Sequence, residues 1–408
     1  MIRALRGVAV CTLPVLVALW VAATAFGGTL LPWRPVMVDL EVYRQAARVL
    51  MAGGDFYALP GQLQFLYPPI AAVLSVPLAL LPTAVVQIGW TVASTLALLA
   101  VLHRFGLTGW VLSLLGSACV VFAAPVRQTL GFGQLGVFLV ALVVLDLVPG
   151  PRVLRRRLLP EGVWTALAAA IKLTPAIFVV YLLAVRRTRA FVTAVVAGLV
   201  LTLAAAVVVP RASLDFWGRL AHGDTGLGHS IIYFTNQSVM ADVVRILRLG
   251  PGSSQLGLVL SGAVAVLGVV AAVVWHRRGD VGLAVNLCGV ASLLASPVSW
   301  LHHFVWVVPL ALSLVLGLFR RGAEAVPLPT WFRVLGLVFV GWVVVEPFRR
   351  LPNGADVELL WSAGQNLLAS VTAVLGIVLL VAAVVVGHRL PRTDTTPDPV
   401  ALPEEAVR

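Results

Sequence analysis

Three carboxylates lie in a short polar stretch between two apolar segments, and this stretch is where the sequence first suggests chemistry. They are Asp39, Glu41 and Asp55. Carboxylates this close to a bilayer are costly to keep, so they indicate a functional site. The alternative is a solvated surface helix that carries ordinary charge pairs. In the first case, one of the three carboxylates would act as a general base at a membrane surface.

Cationic and imidazole side chains also occur within apolar surroundings. Lys172 is the single lysine of the sequence, and His302 and His303 follow a Ser-Pro turn. Lys172 lies three residues before Pro175, where a helix break would expose N–H groups that favour an anion. The alternative is a helix-end lysine that reaches the interface. We expect the histidine pair to be functional, but not to bind zinc, because adjacent histidines do not share a helix face.

Four further polar residues complete the candidate set, and we expect them on the same side of the membrane as Asp39. They are Tyr67, Arg127, Gln134 and Asn236. A carboxylate with convergent cations suits glycosyl transfer from a lipid phosphate. The leaving phosphate then needs charge stabilisation and no general acid, whereas the acceptor hydroxyl needs a base. One base and no covalent nucleophile imply inversion at the sugar carbon.

The composition predicts an all-α polytopic membrane protein. Of the 408 residues, 60% are hydrophobic and 11% charged, whereas soluble domains contain about 25% charged residues. Apolar runs of about 17–25 residues recur along the chain, which is the length of a membrane-spanning helix. The net charge of +12 does not indicate nucleic-acid binding, because the arginines cluster between apolar runs as the positive-inside rule expects.

The charge pattern also predicts the domain organisation. A membrane domain covers residues 1–387, and a Pro-rich tail, residues 388–408, is expected to be disordered in the cytoplasm. The basic N-terminus is also expected in the cytoplasm. Residues 32–67 form the first outer loop and residues 211–253 the second. Within the first loop, residues 40–52 have the spacing of an amphipathic helix in the interface, with Glu41, Arg44 and Arg48 facing away from its apolar stripe.

Two apolar segments, residues 69–82 and 161–185, leave the number of crossings open. The first is short and contains Pro77, and the second is interrupted at residues 172–175. If the basic clusters at 152–157 and 186–189 are both cytoplasmic, each segment must enter and leave on one side. The alternative lets both segments cross and places residues 152–157 outside, against the charge rule. We prefer the re-entrant arrangement.

Seven short motifs, in this order, resemble glycosyltransferase family 87 of the GT-C superfamily, across about residues 35–310. This actinobacteria-rich family includes polyprenol-phosphate-mannose-dependent α-(1→2)-mannosyltransferases. The motifs are Asp39-x3-Tyr43, Gly54-x2-Tyr57, Phe65-x-Tyr67-Pro68-Pro69, Gly133-Gln134, Ile171-Lys172-Leu173-Thr174-Pro175, Asn236-Gln237-Ser238 and Ser296-Pro297-Val298-Ser299-Trp300-Leu301-His302-His303.

The resemblance implies a GT-C fold of about 10–12 transmembrane or re-entrant helices, in the plasma membrane, with an extracytoplasmic active site. It implies Asp39 as the base and His302 and His303 as ligands of the donor phosphate or sugar. Lys172 and Arg127 are phosphate-binding candidates from our own reasoning. The implied donor is polyprenyl-phosphate-mannose and the implied acceptor a mannoside lipid or lipoglycan, with no cofactor.

Two other functions remain open from the sequence. The same family includes arabinofuranosyltransferases, so the donor could be decaprenyl-phosphate-arabinose. A transporter for a lipid-linked sugar would also line its cavity with cations. A glycosidic product that depends on Asp39 would distinguish an enzyme from a transporter.

Overall fold

The computed structural model describes residues 2–59, 63–153, 156–222, 228–316 and 328–390. In these ranges the chain is helical and contains no strand, which confirms the all-α membrane class. The helices are α1 Ile2–Thr24, α2 Val38–Met51, α3 Pro69–Leu74, α4 Val76–Leu80, α5 Thr83–Arg104, α6 Gly109–Phe122, α7 Ala124–Phe132, α8 Gly136–Leu147, α9 Val163–Ile171, α10 Ile177–Ala184, α11 Thr188–Val208, α12 Pro210–Ala221, α13 Val239–Ile246, α14 Ser253–Arg277, α15 Val281–Ala295, α16 Val307–Leu316, α17 Thr330–Val345 and α18 Ala363–Arg389.

Several of these helices have the length and apolarity needed to cross a membrane. Within the described ranges, six qualify alone, and α6 with α7 would make a seventh span bent by 77°. Shorter apolar helices, including α8, α15 and α16, pack among the long ones. Close helix contact depends on small residues: a Cβ on Gly268 of α14 would lie 2.0 Å from the Cβ of Ala291 on α15.

The amphipathic helix α2 forms where the sequence predicted it, with Leu40, Tyr43 and Ala47 buried. Its first residue is Val38, so Asp39 lies inside the first turn rather than in a capping position. The predicted orientation of Arg44 was wrong: its side chain is only 3% exposed.

Arg44 is buried because it satisfies backbone carbonyls of the following segment. It donates to the carbonyl oxygens of Leu78 at 3.0 Å and Leu81 at 3.0 Å, and to Thr83 Oγ1 at 2.8 Å. Helix α4 has only five residues, and the last carbonyls of a helix have no partner within it. Arg44 supplies those partners and anchors α2 to the α3–α4 segment.

Both ambiguous segments are interrupted as the re-entrant interpretation expected. Helices α3 and α4 contain six and five residues, and together they span about 17 Å, short of the ~30 Å hydrocarbon core. The segment 161–185 breaks between α9 and α10. Glu161 and Arg187, at its two ends, form an ion pair of 2.8 Å. The segment therefore enters and leaves at the same end of the molecule, with Lys172 at its tip.

The second predicted outer loop is fastened to the turn that precedes the histidine pair. Asn236 donates to the carbonyl of Pro297 at 3.2 Å and accepts from the backbone N–H of Ser299 at 2.9 Å. At the other end of the chain, α18 continues to Arg389, so the first residues of the predicted disordered tail are helical. Residues 391–408 lie outside the described ranges.

Candidate functional site

Asp39 and Gln134 meet because the end of α7 packs directly on the start of α2. Gly133 ends α7 with φ of +69°, and a Cβ there would lie 2.5 Å from the Cβ of Leu40. Only glycine adopts this backbone conformation at little cost and also permits so close an approach. The next residue, Gln134, is thereby placed against the Asp39 side of α2.

The Gln134 amide is oriented by two tyrosines. Its Oε1 accepts hydrogen bonds from the hydroxyl groups of Tyr43 at 2.9 Å and Tyr67 at 3.3 Å. The two hydroxyl groups also lie 3.0 Å apart. Since the carbonyl end of the amide is occupied by the tyrosines, the NH₂ end donates to the carboxylate of Asp39. Gln134 therefore positions Asp39.

The surroundings of Asp39 make it a stronger base than an ordinary aspartate. Burial raises the pKa of Asp39 to about 6, while the Gln134 hydrogen bond and the positive charge of Lys172 act in the opposite direction. Desolvation disfavours the charged form of a carboxyl group, and a nearby cation favours it. Asp39 is thus ionised at neutral pH with a pKa close to the working range that suits a general base.

Lys172 lies against His303 and Tyr67. Its Nζ is 2.7 Å from His303 Nε2 and 5.5 Å from the centroid of the Tyr67 ring. Because a charged ammonium group only donates, Nε2 of His303 accepts and the ring proton resides on Nδ1. Lys172 and Asp39 also interact through their charges. Tyr67, which contacts both Gln134 and Lys172, joins the basic and the acidic parts of the site.

Two imidazole nitrogens in this region have no hydrogen-bond partner among the described residues. They are His302 Nε2 and His303 Nδ1, and both are buried. Buried polar atoms are nearly always satisfied, so an unsatisfied pair indicates a place for a ligand. A small cavity of about 20 Å³ lies beside Lys172 and His303, which is enough for about one water molecule.

The histidine pair is held by the same α7–α8 segment that carries Gln134. Thr129 Oγ1 donates to the carbonyl of His302 at 2.8 Å. Phe132 packs edge-on against the His302 ring, with centroids 5.6 Å apart. A Cβ on Gly136 would lie 3.1 Å from the His302 carbonyl oxygen. One rigid segment thus fixes Asp39 and the histidines relative to each other.

The other two candidate carboxylates have different partners. Glu41 forms ion pairs with Arg44 at 2.9 Å and Arg48 at 2.8 Å. Asp55 is exposed and accepts a hydrogen bond from the backbone N–H of Tyr57 at 2.8 Å. Neither has a described contact with Gln134 or Lys172. The geometry therefore favours Asp39 as the base candidate.

Arg127 and Asn236 have no described contact with Asp39 or Lys172. Their side chains instead join other segments of the chain. The Arg127 guanidinium donates to Glu346 Oε1 at 3.3 Å and to the carbonyl of Val121 at 3.1 Å. Gln128 donates to the other oxygen of Glu346 at 2.8 Å. These bonds join α7 to the turn after α17. Asn236 uses its side-chain amide to join its loop to the turn at residues 297–299.

Sequence reasoning missed three residues that shape the site. Tyr43 was recognised as part of the Asp39-x3-Tyr43 motif but not as a site residue, although its spacing of four residues from Asp39 indicates a shared helix face. Thr129 and Gly136 carried no recognisable signal.

Within the described ranges, no group of three or more His, Cys, Asp or Glu side chains is arranged to hold a metal ion.

Comparison with known proteins identifies the family of the chain. The profile of glycosyltransferase family 87 matches residues 65–297. A polyprenol-phosphate-mannose-dependent alpha-(1-2)-phosphatidylinositol mannoside mannosyltransferase of Mycobacterium tuberculosis is 31% identical over 374 residues, covering 84% of this chain and 82% of the relative. Its counterpart from Mycolicibacterium smegmatis is 29% identical over 384 residues, with coverage of 84% and 82%.

A polyprenol-phosphate-mannose-dependent alpha-(1-2)-phosphatidylinositol pentamannoside mannosyltransferase of Mycobacterium tuberculosis is 33% identical over 323 residues, covering 75% of this chain and 73% of the relative. No solved structure matches. The match of the family profile and the extent of these similarities confirm the family predicted from the motifs. The chain belongs to glycosyltransferase family 87.

Proposed function

We propose that the protein transfers mannose from polyprenyl-phosphate-mannose to a hydroxyl group of a phosphatidylinositol mannoside or a related mannoside lipid, with inversion at the sugar carbon. One observation carries the proposal. The Gln134-held carboxylate of Asp39 and the Lys172–His303 pair converge on Tyr67. The substrate class follows from the names of the relatives, all of which use polyprenol-phosphate-mannose.

The reaction requires one proton transfer and one displacement. Asp39 takes the proton of the acceptor hydroxyl, and the acceptor oxygen forms a bond to C1 of mannose. The bond between C1 and the phosphate oxygen breaks, and its electron pair stays on the phosphate. The donor phosphodiester, with one negative charge, thereby becomes a phosphomonoester with two. No group of the protein needs to protonate this leaving group.

The cationic part of the site faces this growing charge. Lys172 carries the positive charge, and its bond to His303 Nε2 leaves the Nδ1–H of His303 free to donate to the phosphate or sugar. His302 Nε2 is the second imidazole nitrogen available to the substrate. Fixed charges and donors in a site with little water stabilise a developing oxyanion more strongly than solvent does.

We place the site on the extracytoplasmic side of the plasma membrane, with both chain ends in the cytoplasm. The support is the charge distribution. Arg104 ends α5, Arg187 precedes α11 and Arg277 ends α14, at the end of the molecule away from Asp39. The positive-inside rule assigns this end to the cytoplasm. A cysteine replacing the exposed Asp55 should react with a membrane-impermeant maleimide in intact cells, and reaction only after permeabilisation would reverse the assignment.

Activity of purified protein tests the reaction and the base together. Wild-type protein with polyprenyl-phosphate-mannose and a mannoside lipid should form a new glycosidic bond. Asp39→Asn should lower turnover by about 100- to 10,000-fold, the usual contribution of a general base, with unchanged expression. Asp55→Asn, which removes an exposed carboxylate of the same loop, is the matched control and should retain turnover. Full turnover by Asp39→Asn would disprove the base assignment.

The same assay separates the alternative functions. A product formed from decaprenyl-phosphate-arabinose, and none from the mannose donor, would change the sugar but keep the mechanism. Movement of the lipid donor across vesicles without any glycosidic product would indicate a transporter.

A further inference from the structure

A second cavity, of about 680 Å³, lies at the other end of the molecule from the Asp39 site. Helix α8 separates them: Gly136 at its start adjoins His302, and Leu147 at its end lines the cavity. With twelve residues, α8 spans about 18 Å. The cavity is therefore distinct from the candidate active site. Six basic residues line it: Arg104, Arg152, Arg156, Arg157, Arg187 and His276.

The two carboxylates of this cavity already form ion pairs with arginines of the protein. Asp146 is paired with Arg157, and it also accepts from the backbone N–H of Gly162 at 2.9 Å and from Thr165 Oγ1 at 2.8 Å. Glu161 pairs with Arg187 at 2.8 Å and with Arg157 at 3.5 Å. These contacts account for Arg157 and Arg187. They leave no carboxylate of the cavity for the remaining arginines.

Three guanidinium groups of the cavity form no ion pair with a carboxylate among the described residues. Arg152 and Arg156 are exposed and have no described hydrogen bond or ion pair. Arg104 is only 8% exposed, and its two amino groups donate to the carbonyls of Leu145 at 3.0 Å and Val148 at 3.2 Å. Its Nε is buried and has no partner in the described part of the chain. Asp146 acts on Arg104 through its charge but is itself paired with Arg157, and Arg152 and Arg157 both repel Arg104. The charges around this buried cation are therefore positive on balance, which favours an anion supplied from outside.

The rest of the wall is apolar. Leu142, Leu145, Trp164 and Val281 line the cavity beside the arginines. Trp164 lies on α9 and Val281 begins α15, so the apolar wall is made from the ends of helices that enter the bilayer. Basic pockets between such helices are suited to the headgroups of anionic lipids, with the acyl chains along the apolar side. The volume is also within the range of small-ligand sites.

We propose that this cavity binds the phosphate of an anionic phospholipid from the adjoining leaflet, with Arg104, Arg152 and Arg156 as its ligands. The guanidinium groups donate to the phosphate oxygens, and the acyl chains extend along the wall formed by Leu142 and Trp164. Arginine suits this role because its planar fork binds phosphate with two parallel hydrogen bonds. The proposal concerns binding alone and does not depend on the glycosyl-transfer reaction.

Lipid binding to the full-length protein, purified and delipidated in detergent, tests the proposal by native mass spectrometry. The probes are phosphatidylglycerol, phosphatidylcholine with the same acyl chains, and inorganic phosphate. The test variant combines Arg152→Gln and Arg156→Gln, which are exposed positions without described contacts. The control combines Arg186→Gln and Arg189→Gln. It removes equal charge at the same end of the molecule from two residues that do not line the cavity.

Wild-type protein should bind phosphatidylglycerol at least about tenfold more tightly than phosphatidylcholine, and the test variant should lose that preference while the control keeps it. Competition by millimolar inorganic phosphate would support the site as a phosphate site open to soluble anions as well. Absence of such competition would support a site that needs the whole lipid. Equal binding of the two lipids by wild-type protein, or equal weakening by both double variants, would overturn the proposal.

Discussion

Replacing Gln134 by leucine should shift the acid limb of the pH–activity profile to higher pH, because the hydrogen bond from Gln134 to Asp39 is lost. In wild-type protein the pKa of Asp39 is raised to about 6 by burial. A base must be deprotonated to act, so kcat/KM should fall as the pH drops through about 6. At pH 5 about a tenth of the molecules would keep an ionised Asp39. Gln134 counteracts the effect of burial, because its amide donates to the carboxylate.

The size of the shift follows from the strength of that bond. A hydrogen bond to a charged group contributes about 1.5–3 kcal/mol, and 1.36 kcal/mol corresponds to one pKa unit. Gln134→Leu should therefore move the midpoint of the acid limb up by about one to two pH units. The hydroxyl groups of Tyr43 and Tyr67 lose their shared acceptor in this variant, but they lie 3.0 Å apart and can still bond to each other.

The assay is the initial rate of glycosidic bond formation between pH 5 and pH 9, with the donor below its KM so that the rate reports kcat/KM. Gln128→Leu is the matched control. It removes a buried glutamine of α7 that bonds to Glu346 and has no described contact with Asp39. The control should alter the height of the profile and leave its midpoint unchanged. An unshifted midpoint in Gln134→Leu, or the same shift in both variants, would refute the reasoning.

Two further variants test other parts of the structure. Lys172→Met removes the ammonium group bonded to His303 and should lower kcat/KM by about 100-fold or more in the transfer assay; a value near wild type would exclude Lys172 from charge stabilisation. Arg44→Met should lower the free energy of unfolding by about 2–5 kcal/mol because it removes a buried guanidinium group that bonds to two backbone carbonyls, Thr83 and Glu41, whereas Arg48→Met, at a half-exposed site, should change it by less than about 0.5 kcal/mol. Denaturant unfolding of the purified variants gives both free energies, and equal losses would contradict the anchoring role.

In the amphipathic helix α2, sequence periodicity predicts the apolar face but not the burial of Arg44. The apolar stripe of α2 was readable because side chains three and four residues apart share a helix face. Glu41 also pairs with Arg44 and Arg48 of the same helix. The burial of Arg44 was not readable, since its acceptors Leu78 and Leu81 lie 34 and 37 residues away. A local pattern cannot show which carbonyls in a later segment lack partners.

The choice among the three carboxylates shows the same limit. Asp39 and Glu41 are two residues apart, so a helix directs them about 200° apart around its axis. The sequence does not indicate which direction faces the interior. The close approach of Gly133 to Leu40 decides it, by placing Gln134 against the Asp39 side. Arg127 was, like Lys172, a phosphate-binding candidate in the sequence, but the structure gives it a bond to Glu346, 219 residues away.

Two properties of this protein were determined by the sequence alone. Its apolar runs determine the membrane class, because only helices satisfy their backbone groups within such a run. The order of its short motifs identified the family. The tertiary structure decided which motif residues meet. Lys172 and His303 are 131 residues apart and Asp39 and Gln134 lie on different helices. Their contacts depend on how the helices pack, and helix packing is specified by the whole chain.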